Sequence, residues 1–388
     1  MKVLTVFGTR PEAIKMAPVI KELERYPDEL QSVVCVTAQH REMLDQVLGL
    51  FGVRPDYDLD IMLPDQTLAQ LTANILTRLD RVMAQERPDW VLVQGDTTTV
   101  MVASLVAYYH RVRVGHVEAG LRTGDKFQPF PEEINRRIAD VVSDMYFAPT
   151  TANCQNLLRE GVSESNILVT GNTVIDALQS VVAQARLRVQ DEWEPRLRGQ
   201  RLLLVTAHRR ENFGLPLQEI CRALAHIAHT HSSDVHILYP VHLNPHVLEP
   251  VHAALGEIPN ITLAGPLDYE TFVGLVDRAY LVLTDSGGLQ EEAPGLGRPV
   301  LVLREVTERP EAVIAGTAKL VGTSFERIVL ETELLLSSGE AYRRMAQAAN
   351  PYGDGRASQR IVAALRGVAT DSFMPLSGDA TEGQGRSR

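Results

Sequence analysis

The stretch Val282-Leu-Thr-Asp-Ser-Gly-Gly-Leu-Gln-Glu-Glu-Ala-Pro294 joins an apolar strand, a glycine turn and the start of a helix. Gly287 and Gly288 let the main chain approach a ligand closely, and the unpaired N–H groups of a helix start favour an anion such as phosphate. Glu291 and Glu292 would repel a phosphate that they faced, so we expect at least one of them to accept hydrogen bonds from hydroxyl groups. A nucleotide offers both groups, although an ordinary turn with solvated acids would share this local pattern.

Short apolar runs alternate with longer amphipathic runs along the rest of the chain, a pattern typical of parallel strands crossed by helices. The predicted fold class is therefore α/β, with doubly wound sheets. Predicted strands include 2–7, 32–37, 90–94, 112–117, 145–148, 167–170, 202–206, 235–239, 261–264, 280–283 and 300–303. Predicted helices include 41–51, 68–85, 98–109, 132–143, 217–229 and 357–365.

The length of 388 residues exceeds what one hydrophobic core usually serves, so we expect two Rossmann-like domains that face each other across a cleft. A charged segment, 184–201, places the domain boundary between residues 170 and 200. We assign 1–170 to an N-terminal domain and 171–355 to a C-terminal domain. A last helix, within 356–368, is predicted to cross back to the first domain, and the polar residues 369–388 to form a disordered tail.

Composition excludes several classes of partner. The formal net charge is -11 and no run of Lys and Arg occurs, so nucleic acid is not an expected partner. The three cysteines, Cys35, Cys154 and Cys221, lie far apart in the sequence without a Cys-x-x-Cys spacing and are predicted to be reduced thiols. No apolar stretch approaches the length of a membrane span or of a signal-peptide core. These features predict a cytoplasmic protein with no membrane contact.

Ligands of open α/β sheets bind outside the carboxyl ends of the strands, and here those positions carry ionisable side chains. Arg10 follows the first strand and Lys15 lies about one helical turn further on, which suits a diphosphate, although a solvated basic turn is the alternative. Asp96 follows the strand 90–94 ahead of three threonines and would, by itself, be interpreted as a helix N-cap. Glu118 ends an apolar strand among small residues, where a purely structural carboxylate has no evident benefit.

Two further groups complete the candidate residues. Glu132 and Glu133 open a helix, where acids favour the helix dipole without any function, although the stiff Pro-Phe-Pro loop before them could aim one carboxylate into the cleft. His208 follows another strand and has Arg209 beside it. An imidazole beside a cation suits phosphate binding or proton transfer.

The sequence favours chemistry without a metal or a redox cofactor. A metal site is conceivable at the clustered histidines His226, His229 and His231. No carboxylate or cysteine completes a ligand set there, so the histidines are better interpreted as an exposed helix face and no metal is expected. Neither Gly-x-Gly-x-x-Gly nor a Walker A pattern follows any predicted strand, so we expect no nicotinamide cofactor and no P-loop phosphoryl transfer.

Several long motifs together resemble the bacterial, non-hydrolysing UDP-N-acetylglucosamine 2-epimerases. The resemblance covers residues 1 to about 367 and is carried by Phe7-Gly-Thr-Arg-Pro-Glu-Ala-Ile-Lys, Gln94-Gly-Asp-Thr-Thr, His116-Val-Glu-Ala-Gly-Leu-Arg-Thr, His208-Arg-Arg-Glu-Asn, Asp285-Ser-Gly-Gly-Leu-Gln-Glu-Glu-Ala-Pro and Thr307-Glu-Arg-Pro-Glu. It implies the glycosyltransferase-B type of architecture. It also implies reversible epimerisation at C2 between UDP-N-acetylglucosamine and UDP-N-acetylmannosamine, by anti elimination of UDP to 2-acetamidoglucal and re-addition, without a cofactor.

The resemblance also implies roles for individual residues. Inversion at C2 needs a proton removed on one face and delivered on the other, and the matching catalytic positions are Asp96, Glu118, Glu132 and His208. The charge on departing UDP would be stabilised by Arg10, Lys15, His208 and the turn formed by Ser286, Gly287 and Gly288. Contacts to the uridine side are implied for Phe272, Glu292 and Arg309.

Some members of the family bind a second UDP-N-acetylglucosamine as an allosteric activator. The positions of that pocket are matched here by Gln39, Gln66, Arg209 and His242. Glu42, also in the implied pocket, and Asp65 stand where some regulated members carry Gln and Arg. The family further implies a homodimer and a place in cell-envelope polysaccharide synthesis.

Three other functions are compatible with a UDP-sugar site on this fold: a hydrolysing epimerase, a glycosyltransferase and a non-catalytic UDP-sugar sensor. Exchange of the C2 proton with solvent distinguishes them. Epimerisation by elimination must exchange that proton and keep the UDP-sugar intact. Hydrolysis would release free sugar, and neither transfer nor simple binding would exchange the proton.

Overall fold

A computed structural model describes residues 1–37, 41–62, 65–197 and 199–375. The chain divides into two compact units. The first combines Met1–Ser180 with Tyr352–Met374, and the second combines Val181–Pro351 with the segment from Pro375, of which only Pro375 is described. Within the described ranges, no helix is both long and apolar enough to cross a membrane.

The first unit is built on a parallel sheet. Its elements are β1 (Lys2–Phe7), α1 (Arg10–Leu23), β2 (Gln31–Val36), α2 (Arg41–Phe51), β3 (Tyr57–Asp58), α3 (Leu68–Glu86), β4 (Trp90–Gln94), α4 (Thr98–Tyr109), β5 (Arg113–Val117), α5 (Glu132–Val142), β6 (Met145–Ala148), α6 (Thr151–Arg159), β7 (Ile167–Val169) and the first part of α7 (Thr173–Glu192). The strand order in the described sheet is β3-β2-β1-β4-β5-β6-β7. Since β2 and β4 lie on opposite sides of β1, the winding reverses between β1 and β4, which is where ligands of such sheets bind.

The second unit repeats this plan. Its elements are α8 (Glu194–Leu197), β8 (Arg201–Thr206), α9 (Leu215–Thr230), β9 (Val235–Pro240), α10 (Pro245–Leu255), β10 (Ile261–Ala264), α11 (Tyr269–Arg278), β11 (Leu281–Thr284), α12 (Leu289–Gly295), β12 (Val300–Val302), α13 (Pro310–Ala315), β13 (Ala318–Leu320), α14 (Phe325–Ser337) and α15 (Gly339–Ala346). The strand order in the described sheet, β10-β9-β8-β11-β12-β13, reverses between β8 and β11. The predicted class of two Rossmann-like α/β domains is confirmed.

The strands are buried, and therefore their sequences are apolar runs that could be recognised in advance. Val3, Leu4 and Val6 of β1 are fully buried, because helices cover both faces of a parallel sheet. Predicted and observed bounds agree within about two residues for the quoted elements. The charged segment 184–201 is mostly helical, since α7 continues through it and α8 follows. The division between the units falls inside α7, after Ser180.

The C-terminal part of the first unit forms α16 (Ala357–Leu365), which packs on α1. Asp176 of α7 caps α16, accepting hydrogen bonds from the backbone N–H (2.8 Å) and the hydroxyl (2.6 Å) of Ser358. Ile361 is fully buried, and the Arg366 guanidinium lies 3.8 Å from the centre of the Tyr26 ring. Apolar burial and a capped helix start therefore attach this segment to the first unit.

The predicted disordered tail overlaps residues that the structure describes. Phe373 is buried, and its N–H donates to the Val169 carbonyl at 2.7 Å. This contact extends the edge of the first unit beside β7. Residues 376–388 lie outside the described part of the chain.

One glycine of the first unit is fixed by backbone geometry. Gly120 follows β5 with a φ of +86°. A Cβ at this position would lie 2.4 Å from the Asn153 carbonyl oxygen. Both the left-handed conformation and the close approach of a second backbone therefore require glycine at the start of the loop after Glu118.

Candidate functional site

Glu118 lies at the carboxyl end of β5 and is the most tightly held carboxylate at that end of the first sheet. The Lys15 ammonium donates to Oε1 at 2.7 Å and to Oε2 at 2.6 Å. The side-chain amides of Gln94 and Asn172 also donate to it. The Glu118 side chain is 6% exposed and its φ is +66°, a strained conformation for a non-glycine residue. The predicted phosphate ligand Lys15 is therefore, in this structure, the partner of Glu118.

Asp96 is held by residues of α5 and does not cap the helix that follows it. The N-cap of α4 is Thr97, whose hydroxyl accepts from the Val100 N–H. The Asp96 carboxylate accepts from the Arg136 guanidinium, and its carbonyl accepts from the Asn135 side chain at 3.0 Å. The side chain remains 32% exposed. A cation therefore orients a carboxylate that solvent and a ligand can still reach.

The two acids that open α5 differ in their surroundings. Glu133 is buried and accepts from the backbone N–H groups of Thr123 (3.1 Å) and Gly124 (3.4 Å), besides pairing with Arg136 at 3.3 Å. Glu132 is half-buried and makes no hydrogen bond or ion pair with any described residue. Of these two carboxylates, only Glu132 is available for chemistry.

Glu12 was not selected from the sequence, yet it organises the turn between β1 and α1. Its carboxylate accepts from the N–H groups of Gly8 (2.9 Å) and Thr9 (2.7 Å) and from the Thr97 hydroxyl (2.6 Å). Burial raises the pKa of Glu12, and these hydrogen bonds oppose that rise. The capping-box spacing from Thr9 to Glu12 could have revealed the local bonds, but not the one to Thr97. Arg10, half-buried in the same turn, has no side-chain partner among the described residues.

Asp285, at the carboxyl end of β11, is a buried carboxylate that accepts from backbone N–H groups in the second unit, as Glu12 does in the first. It is fully buried, and its Oδ2 accepts from the backbone N–H groups of His208 and Arg209, both at 2.8 Å, and from the Asn212 side chain at 3.0 Å. The sequence stretch that contains Asp285 was selected, but this role was not. One carboxylate thereby ties the loop that carries His208 to the glycine turn.

The His208 ring is 42% exposed and lies among charged groups. Its Nδ1 is 3.7 Å from Asp285 Oδ1, and its ring stacks on His242 with centroids 5.6 Å apart. Burial lowers the pKa of His208, the Asp285 carboxylate opposes that change, and the neighbouring His242 and Arg209 lower the pKa further. The His208 ring binds a negative ligand more readily in its charged form.

The glycine turn was predicted to offer the N–H groups of Ser286, Gly287 and Gly288 to a phosphate. The Ser286 N–H donates to the Thr284 hydroxyl at 2.9 Å and is therefore already engaged. Within the described residues, the N–H groups of Gly287 and Gly288 have no acceptor. A Cβ on Gly288 would lie 3.7 Å from Glu292 Oε1, which places the Glu292 carboxylate beside the turn.

The neighbouring acid faces elsewhere. Glu291 is buried and accepts from the Arg309 guanidinium, whose side chain is 16% exposed. Arg309, predicted on the uridine side, is thus partly neutralised by Glu291. Phe272, the other residue predicted there, is a half-buried residue of α11. Of the acidic pair, Glu291 is buried and paired with Arg309, whereas Glu292 is half-buried beside the glycine turn.

The residues predicted for a second nucleotide site are described only in part. Gln39 lies outside the described residues, as does the side chain of Glu42. The side-chain amide of Gln66 is buried and neither its nitrogen nor its oxygen has a partner in the described part of the chain. Arg209 lies 3.8 Å from the Glu308 carboxylate, and His242 Nδ1 accepts from the Asn244 N–H at 3.0 Å.

The clustered histidines have ordinary structural partners. His226 packs edge-on against Phe325, and His231 contacts the Glu333 carboxylate at 2.9 Å. Across the ranges that the structure describes, no group of three or more His, Cys, Asp or Glu side chains is arranged to hold a metal ion.

Comparison with known proteins identifies the relatives of this chain. A protein-family model described as UDP-N-acetylglucosamine 2-epimerase matches residues 21–366. The Escherichia coli (strain K12) protein named UDP-N-acetylglucosamine 2-epimerase is 55% identical over 375 residues, covering 94% of this chain and 98% of that protein. The crystal structure of UDP-GlcNAc 2-epimerase from Neisseria meningitidis bound to UDP-GlcNAc is 48% identical, with a TM-score of 0.87 over 95% of this chain and 100% of that one. The glycosyltransferase of kitacinnamycin, 15% identical with a TM-score of 0.62 over 93% and 98% of the two chains, shares the fold alone.

Proposed function

Because this chain belongs to the UDP-N-acetylglucosamine 2-epimerase family, we propose that it interconverts UDP-N-acetylglucosamine and UDP-N-acetylmannosamine without hydrolysis. The observation that carries the proposal is the pair of strand-end sites, one at each winding reversal. In the first unit that site holds carboxylates, and in the second it holds open backbone N–H groups beside a histidine. Acid–base chemistry and the binding of a diphosphate need these two kinds of group.

We propose that Asp96, Glu118 and Glu132 supply the acid–base groups for C2. Elimination removes the C2 proton and breaks the C1–O bond to UDP, which leaves 2-acetamidoglucal. Re-addition of UDP at C1 is then accompanied by protonation of C2 on the opposite face. Two acid–base groups in different positions are therefore needed. Asp96 is exposed and oriented by a guanidinium, whereas Glu118 is buried beside Lys15, so the two carboxylates differ enough to divide these tasks.

The negative charge that develops on departing UDP needs donors held in position. We propose that the Gly287 and Gly288 N–H groups bind the diphosphate, with His208 and Arg10 as cationic partners. Lys15 joins them if it exchanges Glu118 for phosphate. Glu292 would bind the ribose hydroxyls, and Ser286, Phe272 and Arg309 would complete the contacts to UDP.

Other proposals follow from the family. A second UDP-N-acetylglucosamine would bind as activator near Gln39, Glu42, Gln66, Arg209 and His242, and the unpaired buried amide of Gln66 supports this. We also propose a homodimer that serves cell-envelope polysaccharide synthesis. The widely spaced cysteines support the cytoplasm as its location.

Proton NMR in deuterium oxide tests the proposed reaction. The purified chain should convert either UDP-sugar into a mixture of both epimers and replace the C2 proton of each by deuterium. Release of free N-acetylmannosamine would indicate the hydrolysing reaction. Saturable binding of UDP-sugar without exchange at C2 would indicate a sensor and contradict the proposal.

The roles of the carboxylates are tested by amide substitutions. Asp96→Asn and Glu118→Gln should each lower kcat by about 10²- to 10⁴-fold, because each removes one proton-transfer group. UDP affinity, measured by calorimetry, should change little. Glu164→Gln, at an exposed position in a 3-10 turn, serves as the matched control and should retain full activity. Wild-type turnover in Glu118→Gln would remove Glu118 from the mechanism.

A further inference from the structure

His116 is a buried residue of β5, two positions before Glu118, and it takes no part in the proposed reaction. Its side chain is 1% exposed. Nδ1 lies 2.6 Å from Asp140 Oδ1, and Nε2 lies 2.8 Å from the Gly95 carbonyl oxygen. Both partners are hydrogen-bond acceptors, so both bonds require a ring that carries two N–H groups. The geometry therefore describes an imidazolium.

The surroundings of His116 stabilise that charge. The second oxygen of Asp140 accepts from Arg122 at 2.6 Å, and Arg122 also pairs with Glu160 at 2.7 Å. Burial and, to a smaller extent, the charge of Arg122 act to lower the pKa of His116, but the charge and hydrogen bond of Asp140, with the bond to Gly95, outweigh them and raise the pKa. Asp140 and Arg122 are the charged groups that face the ring, and Glu160 lies on the far side of Arg122.

The Gly95 peptide that His116 binds is the one that leads into Asp96. Gly95 has a φ of +81°, and its N–H donates to the Val117 carbonyl at 3.1 Å. The end of β5 therefore holds this glycine from both sides, through Val117 and through His116. A Cβ on Gly95 would lie 4.0 Å from Glu118 Oε2, so the same peptide also lies next to the second carboxylate.

We propose that His116 is a positioning residue for the epimerisation: as a constant imidazolium it fixes the Gly95 carbonyl, and with it the position of the Asp96 carboxylate relative to Glu118. This inference rests on the proposed function. A displacement of about 1 Å between reacting groups lowers a rate by up to about 10²-fold. Loss of the bond to Gly95 should therefore affect turnover more than substrate binding.

Two substitutions separate the two bonds of the ring. In His116→Asn the amide nitrogen takes the place of Nδ1, so the bond to Asp140 is kept and the bond to Gly95 is lost. In His116→Gln the amide nitrogen takes the place of Nε2, so the bond to Gly95 is kept and the bond to Asp140 is lost. We expect His116→Asn to lower kcat by about 10- to 100-fold with little change in KM, and His116→Gln to retain most of the turnover.

Unfolding by urea is measured on the same proteins. His116→Gln, which removes the bond from the ring to Asp140 and leaves Arg122 as the remaining side-chain partner of that carboxylate, should be the less stable and the more active variant, whereas a purely structural histidine would make activity follow stability. If His116→Gln is the slower enzyme, or if both variants turn over like the wild type, the positioning role is refuted. A wild-type chain that does not exchange the C2 proton would instead refute the proposed function itself.

The charge state of the His116 ring can be measured by NMR, independently of activity. In ¹⁵N-histidine-labelled wild type, both ring nitrogens of His116 should give the chemical shifts of N–H nitrogens at pH 7, slightly above the ordinary histidine pKa of about 6.5. The spectrum of His116→Gln identifies the resonances. A ring that lacks one of these protons at that pH would contradict the imidazolium.

Discussion

Replacing Asp285 by asparagine removes one negative charge beside His208 while it keeps the shape of the side chain. Two unit charges about 4 Å apart interact by about 1 kcal/mol in water and about 4 kcal/mol at an effective dielectric constant near 20. Asp285 Oδ1 is 3.7 Å from His208 Nδ1, but the His208 side chain is 42% exposed, so the lower part of that range applies. Since one pKa unit corresponds to about 1.4 kcal/mol, we expect Asp285→Asn to lower the pKa of His208 by about one unit.

The assay is an NMR titration of the histidine C–H signals, with His208→Gln to identify the resonance. Asp234→Asn is the matched control, because Asp234 directly precedes β9 and so lies at the amino ends of the strands, whereas His208 follows the carboxyl end of β8. It should leave the pKa of His208 unchanged.

The direction of the pKa change in Asp285→Asn tests whether Asp285 is the counter-charge of His208. In the wild type, burial lowers the pKa of His208 and Asp285 opposes that effect, so removing the carboxylate charge must lower the pKa further. UDP affinity should then fall in Asp285→Asn at neutral pH, because fewer rings are charged. A pKa that stays constant or rises in Asp285→Asn would refute the assignment of Asp285 as the counter-charge.

Three further outcomes are expected. Gly120→Ala should destabilise the chain to urea by more than about 2 kcal/mol, because its Cβ would lie 2.4 Å from a carbonyl oxygen, whereas Gly161→Ala, with a similar φ of +89° and open space, should cost about 1 kcal/mol; equal losses would contradict the steric argument. Ile361→Ala should cost about 2–4 kcal/mol in the same assay and Arg366→Ala should cost less, because buried apolar area outweighs an exposed ion pair; the reverse order would refute this account of how α16 is held. Cys154 should be the one thiol of the native chain that reacts rapidly with Ellman's reagent, because burial raises the pKa of the other two thiols to about 12; two or three fast thiols would contradict their burial.

The strands and helices of the fold could be predicted from the sequence because each depends on a local pattern of residues. Apolar runs identified most of the described strands and amphipathic periods identified several of the helices, and the α/β pattern implied the position of ligands at strand ends. The two edge strands Tyr57–Asp58 and Ala318–Leu320 were missed because two or three residues form no recognisable pattern. The helix α7 was not recognised through 184–192, because its charged residues gave the segment the composition of a linker.

In the candidate site, contacts between residues far apart in the sequence could not be predicted. Lys15 was assigned to phosphate because it follows a strand, but its partner Glu118 lies 103 residues away and no spacing reveals that pair. Glu291 and Glu292 are adjacent in sequence, and only the position of Arg309 decides which of them is buried. Asp285 offered one visible signal, an acid placed directly after a buried strand, but its three donors come from a loop about 75 residues earlier in the chain. Residue types at strand ends could be predicted, whereas their pairing could not.

The return of α16 to the first unit has a consequence for the order of folding during synthesis. The main segment of the second unit, Val181–Pro351, is continuous in the sequence, and all of it is synthesised before α16. The first unit needs both ends of the chain, so its last buried side chains, such as Ile361, arrive only after that segment is complete. Domains generally fold as units when their residues become available. We therefore expect the second unit to finish folding before the first unit, because the first unit still lacks α16 at that stage.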